Sequence, residues 1–154
     1  MPHAEPEIIQ RPAIHTAAVR DTVALANIPA FYDRAYPLIS RTLAAAGVSP
    51  SAAPMGITHG EPGELLDLSA AIPVADPFAS TGEVIGETLP AGRTATLLVT
   101  GDYSQLADAY GYLFRWIGER SLTPSGLAWE QYLTEPHPDA DPALNQTLLA
   151  VAID

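Results

Sequence analysis

The chain has 154 residues and a mass of 16.2 kDa, enough for one hydrophobic core and too little for two ordinary domains. It contains no cysteine, which excludes disulfides, thiolate metal sites and cysteine nucleophiles. Eighteen acidic residues stand against seven basic ones, all arginine, and the resulting net charge of −11 repels nucleic-acid phosphates, so direct nucleic-acid binding is not expected. Apolar runs such as Leu43 to Ala46 and Leu148 to Ile153 are too short to span a membrane. No positively charged start followed by an apolar stretch opens the sequence, so a soluble, cytoplasmic protein is expected.

Met1 to Pro6 holds two prolines and reads as a loose arm, with structure beginning near Glu7. Ala13 to Val23 is rich in β-branched and small residues and predicts a strand. Asn27 then stands at an N-cap position and Pro29 in a first helical turn, while Ile28, Phe31, Tyr32, Ala35, Leu38, Ile39 and Leu43 recur at helical spacing up to Gly47. Pro37 falls inside this segment and predicts a bend or a split. Met55 to His59 and Leu65 to Val74 flank the turn residues Gly60, Glu61, Pro62 and Gly63 and predict a hairpin. Ala75 to Thr81 reads as a crossover, and Glu83 to Leu89 as an edge strand.

Pro90, Ala91 and Gly92 open a second round. Arg93 to Thr100 predicts a strand, and Leu106, Ala109, Tyr110, Leu113, Phe114 and Ile117 form a helical stripe that Asp102 or Ser104 can cap and that runs to about Ser121. Strands are expected at Ala128 to Leu133 and at Thr147 to Ile153. Strand, helix, strand, strand therefore occurs twice at an offset of roughly 75 to 80 residues, as in a duplicated unit. A single domain over 1–154, with halves at about 7–74 and 90–153, is the expected organisation.

Two stretches carry a family resemblance. Leu89-Pro90-Ala91-Gly92-Arg93-Thr94-Ala95 resembles the strand-opening signature of the GyrI-like effector-binding domains, which occur alone and fused to MerR-type and AraC-type regulators. Thr100-Gly101-Asp102-Tyr103-Ser104-Gln105-Leu106 resembles the strand-to-helix turn of the same family, and Ala109-Tyr110, Trp116 and Trp129-Glu130-Gln131-Tyr132-Leu133 match its helix aromatics and its glutamate-containing strand. Ala71-Ile72-Pro73-Val74 resembles the family in the first half. The resemblance implies an α+β fold of two βαββ (SH2-like) units with pseudo-twofold symmetry, a concave antiparallel sheet with helices on its outer side, and a ligand cleft between the halves. The sequence departs from the pattern where Gly101-Asp102 replaces a glycine-proline and where Thr58-His59 replaces an aromatic.

By that resemblance Glu130 lies in a pocket. A carboxylate in an apolar cleft loses hydration, and a cationic ligand supplies the missing partner while stacking on aromatic faces. Tyr103, Tyr110, Tyr132 and Trp129 are candidates for those faces. Strand alternation sets Glu130 and Tyr132 on one face and Trp129 and Gln131 on the other, which favours Tyr132 over Trp129. Trp116 and Tyr36 complete the ligand-binding candidates, with core packing the competing reading for the helix aromatics. His59 ends the strand that mirrors the Glu130 strand and is a candidate donor or base. His3, His15, His59 and His137 lack metal-ligand spacing, so neither a metal nor a cofactor is expected.

The expected function is that of a stand-alone module that captures or sequesters lipophilic, often cationic or aromatic, small organic molecules. Too few residues precede Ala13 for a helix-turn-helix, so an action on DNA would pass through a partner. One alternative is hydrolysis of strained cyclopropane rings in reactive natural products, with Glu130 as general base and Tyr103, Tyr132 or His59 as hydrogen-bond donor. Another is inhibitory binding of a basic protein partner by the acidic surface.

Overall fold

Each helical stripe lies against antiparallel strands of its own unit. In the computed structural model, which describes residues 4–61, 63–134, 139 and 141–154, the order is β1 (Glu7–Arg11), β2 (Ile14–Ala24), α1 (Ile28–Ala46), β3 (Met55–His59), β4 (Leu65–Val74), β5 (Ile85–Leu89), β6 (Gly92–Thr100), α2 (Leu106–Glu119), β7 (Pro124–Tyr132) and β8 (Gln146–Ile153). The chain divides into two units, one formed by Pro12–Ala91 and the other by residues 4–11 with Gly92–Asp154.

In the Pro12–Ala91 unit the strands lie in the order β3-β4-β2-β5, every neighbour antiparallel. Residues Phe31, Ala35, Ile39 and Leu43, four apart, put one stripe of α1 onto Ala17, Val19, Val23, Leu68, Ala70 and Ile72 of the sheet. The helix stops at Gly47, whose φ of 70° turns the chain left-handed while its N–H and that of Val48 satisfy the carbonyls of Ala44 and Leu43. Asn27 occupies the N-cap position without a side-chain cap; a short 3-10 turn at Leu25–Asn27 leads into the helix instead. The helix is not split at Pro37. That residue faces solvent, and the buried stripe on the opposite side carries α1 through the missing backbone bond.

In the other unit the order is β1-β6-β8-β7, again antiparallel throughout. Ala109, Leu113 and Ile117 of α2 pack on Ala95, Leu97, Val99, Leu149 and Val151. The strand β1 falls in the stretch where the sequence suggested only a beginning of structure, and β7 starts at Pro124, four residues earlier than the alternation indicated, with a register irregularity between Pro124 and Ala128.

The two units repeat one plan. Glu7 and Ile85, like Pro12 and Pro90, stand 78 positions apart, so β1 relates to β2 along the chain as β5 relates to β6. Neither edge strand pairs with the strand that follows it: β1 adds to β6 and β5 adds to β2. No helix among the described residues is long and apolar enough to cross a membrane.

Candidate functional site

Glu130 stands opposite Leu149 on β8, and Tyr132 opposite Thr147, so both side chains project to the sheet face that α2 covers. Burial pushes the Glu130 carboxyl up, and hydrogen bonds from the Tyr110 and Tyr132 hydroxyls offset only part of that, leaving it above the ordinary carboxylate range. Among the described residues no arginine or histidine forms an ion pair with it. The Tyr103 ring meets the Tyr132 ring edge-on at 6.0 Å, and Tyr110 stacks on Phe114 at 6.3 Å. Tyr103 is 50% exposed and Phe114 41%, so aromatic surface adjoining the carboxylate opens to solvent.

The turn that presents Tyr103 explains the departure at Gly101-Asp102. Gly101 is buried at φ 147°, and a Cβ there would lie 2.7 Å from the Gln105 side chain. Asp102 Oδ1 accepts from the Ser104 amide at 3.0 Å and from the Ser104 hydroxyl, fixing the 3-10 turn Tyr103–Gln105 that enters α2. An aspartate cap thus holds a turn that a proline would otherwise stiffen.

Glu130, Tyr132, Tyr110 and Tyr103 therefore come together. Trp116 lies on the same helix, packed against the core of this unit, with the Arg120 guanidinium 3.8 Å from its ring centre. Trp129 points to the opposite face, where it is buried with the Arg11 guanidinium 4.6 Å from its ring centre, and Arg11 also bonds the Thr94 hydroxyl. Desolvation lowers the pKa of that arginine. The sequence reading passed over Arg11, since nothing local ties it to a strand more than a hundred residues away.

His59 and Tyr36 belong to the Pro12–Ala91 unit. The Tyr36 hydroxyl donates to the Met55 carbonyl at 2.6 Å and its ring adjoins Tyr32 at 5.1 Å. His59 Nε2 lies 3.0 Å from Ser69 Oγ and 3.2 Å from Glu87 Oε1. Counterpart positions of the two units show why the Pro12–Ala91 unit has no matching carboxylate: Val19 pairs with Ala70 and Leu97 with Leu149, so the counterpart of Glu130, opposite Leu149, is Gly56, opposite Ala70. Among the described residues no group of three or more histidine, aspartate or glutamate side chains has metal-binding geometry; His3 and His137 lie outside those residues, as does Pro62 of the predicted turn.

Residues 4–151 match the family model of the GyrI-like small molecule binding domain. The chain belongs to this family. Among solved GyrI-like folds, the C-terminal domain of EcmrR superposes with a TM-score of 0.87 at 20% identity, covering 100% of this chain and 99% of that one. The chain spans 57% of EcmrR as seen in its complex with DNA. SAV2435 bound to tetraphenylphosphonium gives a TM-score of 0.69 at 14% identity, with 98% of this chain and 94% of that one covered. A hydrolase encoded by lin2189 from Listeria innocua gives 0.70 at 15%, covering 99% and 93%. No curated protein matches the chain. At these identities the likenesses speak for the fold, and the two-unit α+β architecture is that of the GyrI-like domains.

Proposed function

We propose that this GyrI-like domain captures lipophilic organic cations at Glu130, with Tyr103, Tyr110 and Tyr132 as its aromatic and hydroxyl surround, and serves as a drug- or effector-binding module. One observation carries the reading: a largely buried carboxylate held above its ordinary range by desolvation, with tyrosine hydroxyls as partners and no ion-pairing cation among the described residues. A ligand cation supplies the charge that the fold withholds, and its rings find Tyr103 and Tyr132. The tetraphenylphosphonium bound by SAV2435 is a ligand of this chemistry and supports the choice of probe.

Calorimetric titration with tetraphenylphosphonium and other aromatic cations is the test. Glu130→Gln is expected to weaken binding by about tenfold or more, the equivalent of roughly 1.4 kcal/mol. Absence of binding across the panel, or equal affinity in Glu130→Gln, overturns the reading.

The same carboxylate supports a second reading. A raised carboxyl beside two hydroxyl donors suits general base catalysis on a strained ring, and the hydrolase among the structural likenesses is consistent with it. Incubation with a cyclopropane-bearing alkylator followed by mass spectrometry separates the two: water added with turnover means hydrolysis, and intact compound means binding.

A further inference from the structure

A second polar cluster lies in the Pro12–Ala91 unit, on the sheet face turned away from α1. Glu87 stands opposite Thr16, Ala18 opposite Ala71, and Ser69 opposite Ile57, so successive steps of one strand over and two residues along link Glu87 on β5, Ala18 on β2, Ser69 on β4 and His59 on β3. These four residues lie on one diagonal. Contact between its ends requires the sheet to bend along that line, and Ala18, with only a methyl group, leaves the room.

His59 Nε2 is aligned with Ser69 Oγ at 3.0 Å, and the Ser69 hydroxyl donates to Glu87 Oε2 at 3.3 Å. The other carboxylate oxygen lies 3.2 Å from the same nitrogen without hydrogen-bond alignment. Glu87 keeps only 12% of its side chain exposed. Arg20 is committed elsewhere, with a two-point bond to Asp67 at 2.8 and 2.7 Å and an approach to Glu87 of only 3.9 Å. The charged and titratable groups around His59 are thus Arg20 from β2, Asp67 from β4 and Glu87 from β5. With a neutral imidazole the four groups sum to −1; with an imidazolium they balance.

Hydrolytic chemistry does not fit this cluster. Ser69 and Glu87 address the same ring nitrogen, so the imidazole cannot pass a proton between them, and Ser69 is fully buried. We propose instead that His59, Ser69 and Glu87 form a proton-linked clasp across the diagonal of this sheet, firm when His59 is charged and slack when it is neutral, through which pH sets how tightly the edge strand β5 is held.

The signs run in opposite directions at the two limits. Burial raises the Glu87 carboxyl, but His59, Ser69 and Arg20 together bring it below the ordinary range, so its contribution is present above the unfolded carboxylate range and is lost as pH falls through its own depressed value. The pairing of His59 with Glu87 as ions needs an imidazolium, so it is present in mild acid and is lost as pH rises through the interval, between about pH 5 and 8, in which imidazoles change charge. The clasp is firmest between those limits.

Hydrogen exchange of the β5 amides, corrected for intrinsic rates and compared at pH 5.5 and pH 8, tests it. Protection at Glu87 and Leu89 is expected to fall by about fivefold at the higher pH while amides of β8 hold steady. In His59→Gln and in Ser69→Ala this pH dependence is expected to vanish. Equal pH dependence in wild type and His59→Gln, or no pH dependence in wild type, overturns the proposal. Should the variants fold poorly, NMR of the unmodified protein decides: besides its own acid transition, the Glu87 side-chain carbon must shift again at the midpoint of the His59 ring, and the absence of that second step overturns the clasp.

Discussion

The two buried carboxylates, Glu130 and Glu87, show opposite solutions to the same desolvation cost. Glu87 has an imidazole, a hydroxyl and a distant guanidinium around it and is held below the ordinary range; Glu130, with tyrosine hydroxyls as its partners among the described residues, is held above it. For Glu130 the linkage sign is adverse: its ionisation in the folded state is disfavoured, so stability drops as pH rises from the unfolded carboxylate range through the raised folded value. Glu130→Gln is therefore expected to stabilise the ligand-free protein at pH 7 by on the order of 1 kcal/mol, and to flatten its stability over that interval. Chemical denaturation at pH 4 and pH 7 measures this, and a destabilised variant at pH 7 would mean that the carboxylate has a charge partner. At this scale the sequence was informative about Glu130 and Tyr132, because alternation along one strand assigns their shared face, and about Asp102, because a cap acts two residues away. It was silent on Ser69 and Glu87, whose meeting with His59 depends on the register of four strands and on a bend no local pattern encodes.

Elements were legible where one side of a segment is apolar over several turns or pairs. The bounds of β3 and β4 coincide with the stretches that flank the turn residues Gly60 to Gly63, and α1 follows its stripe from Ile28 to the glycine stop. The strand β1 was hidden because it is only five residues long and exposed at all but Arg11; tertiary pairing with β6 makes it a strand, not its own burial. Pro37 does not split the helix for the converse reason, since a stripe of four buried side chains outweighs one lost backbone bond. Replacing it should expose that cost. Pro37→Ala is expected to raise stability by about 2 kcal/mol, part of the proline penalty being offset by the looser unfolded chain. A thermal melt showing no gain would mean that the helix is already distorted to accommodate the ring.

At the scale of the molecule, duplication was readable from the repeated element order, whereas the exchange of edge strands was not. A sequence-based division assigns residues to halves in chain order, but β1 belongs with the unit of Gly92–Asp154. Both tryptophans, Trp116 and Trp129, lie in that unit, so their fluorescence reports on it selectively. Removing residues through Arg11 uncovers the outer side of β6 and strips the guanidinium from Trp129. The tryptophan-monitored transition in denaturant is expected to weaken by on the order of 3 kcal/mol, while exchange protection in β2 and β4 changes little. Uniform loss across both units would show that they unfold as one.

The displaced first strand also bears on how the protein is made. Translation delivers Ile8 and Ile9 long before the strand that will receive them, and the whole Pro12–Ala91 unit can be completed in the interval. Until Gly92–Thr100 leaves the ribosome, the residues of β1 have no strand to pair with, and their backbone groups stay open to chaperones and to neighbouring chains.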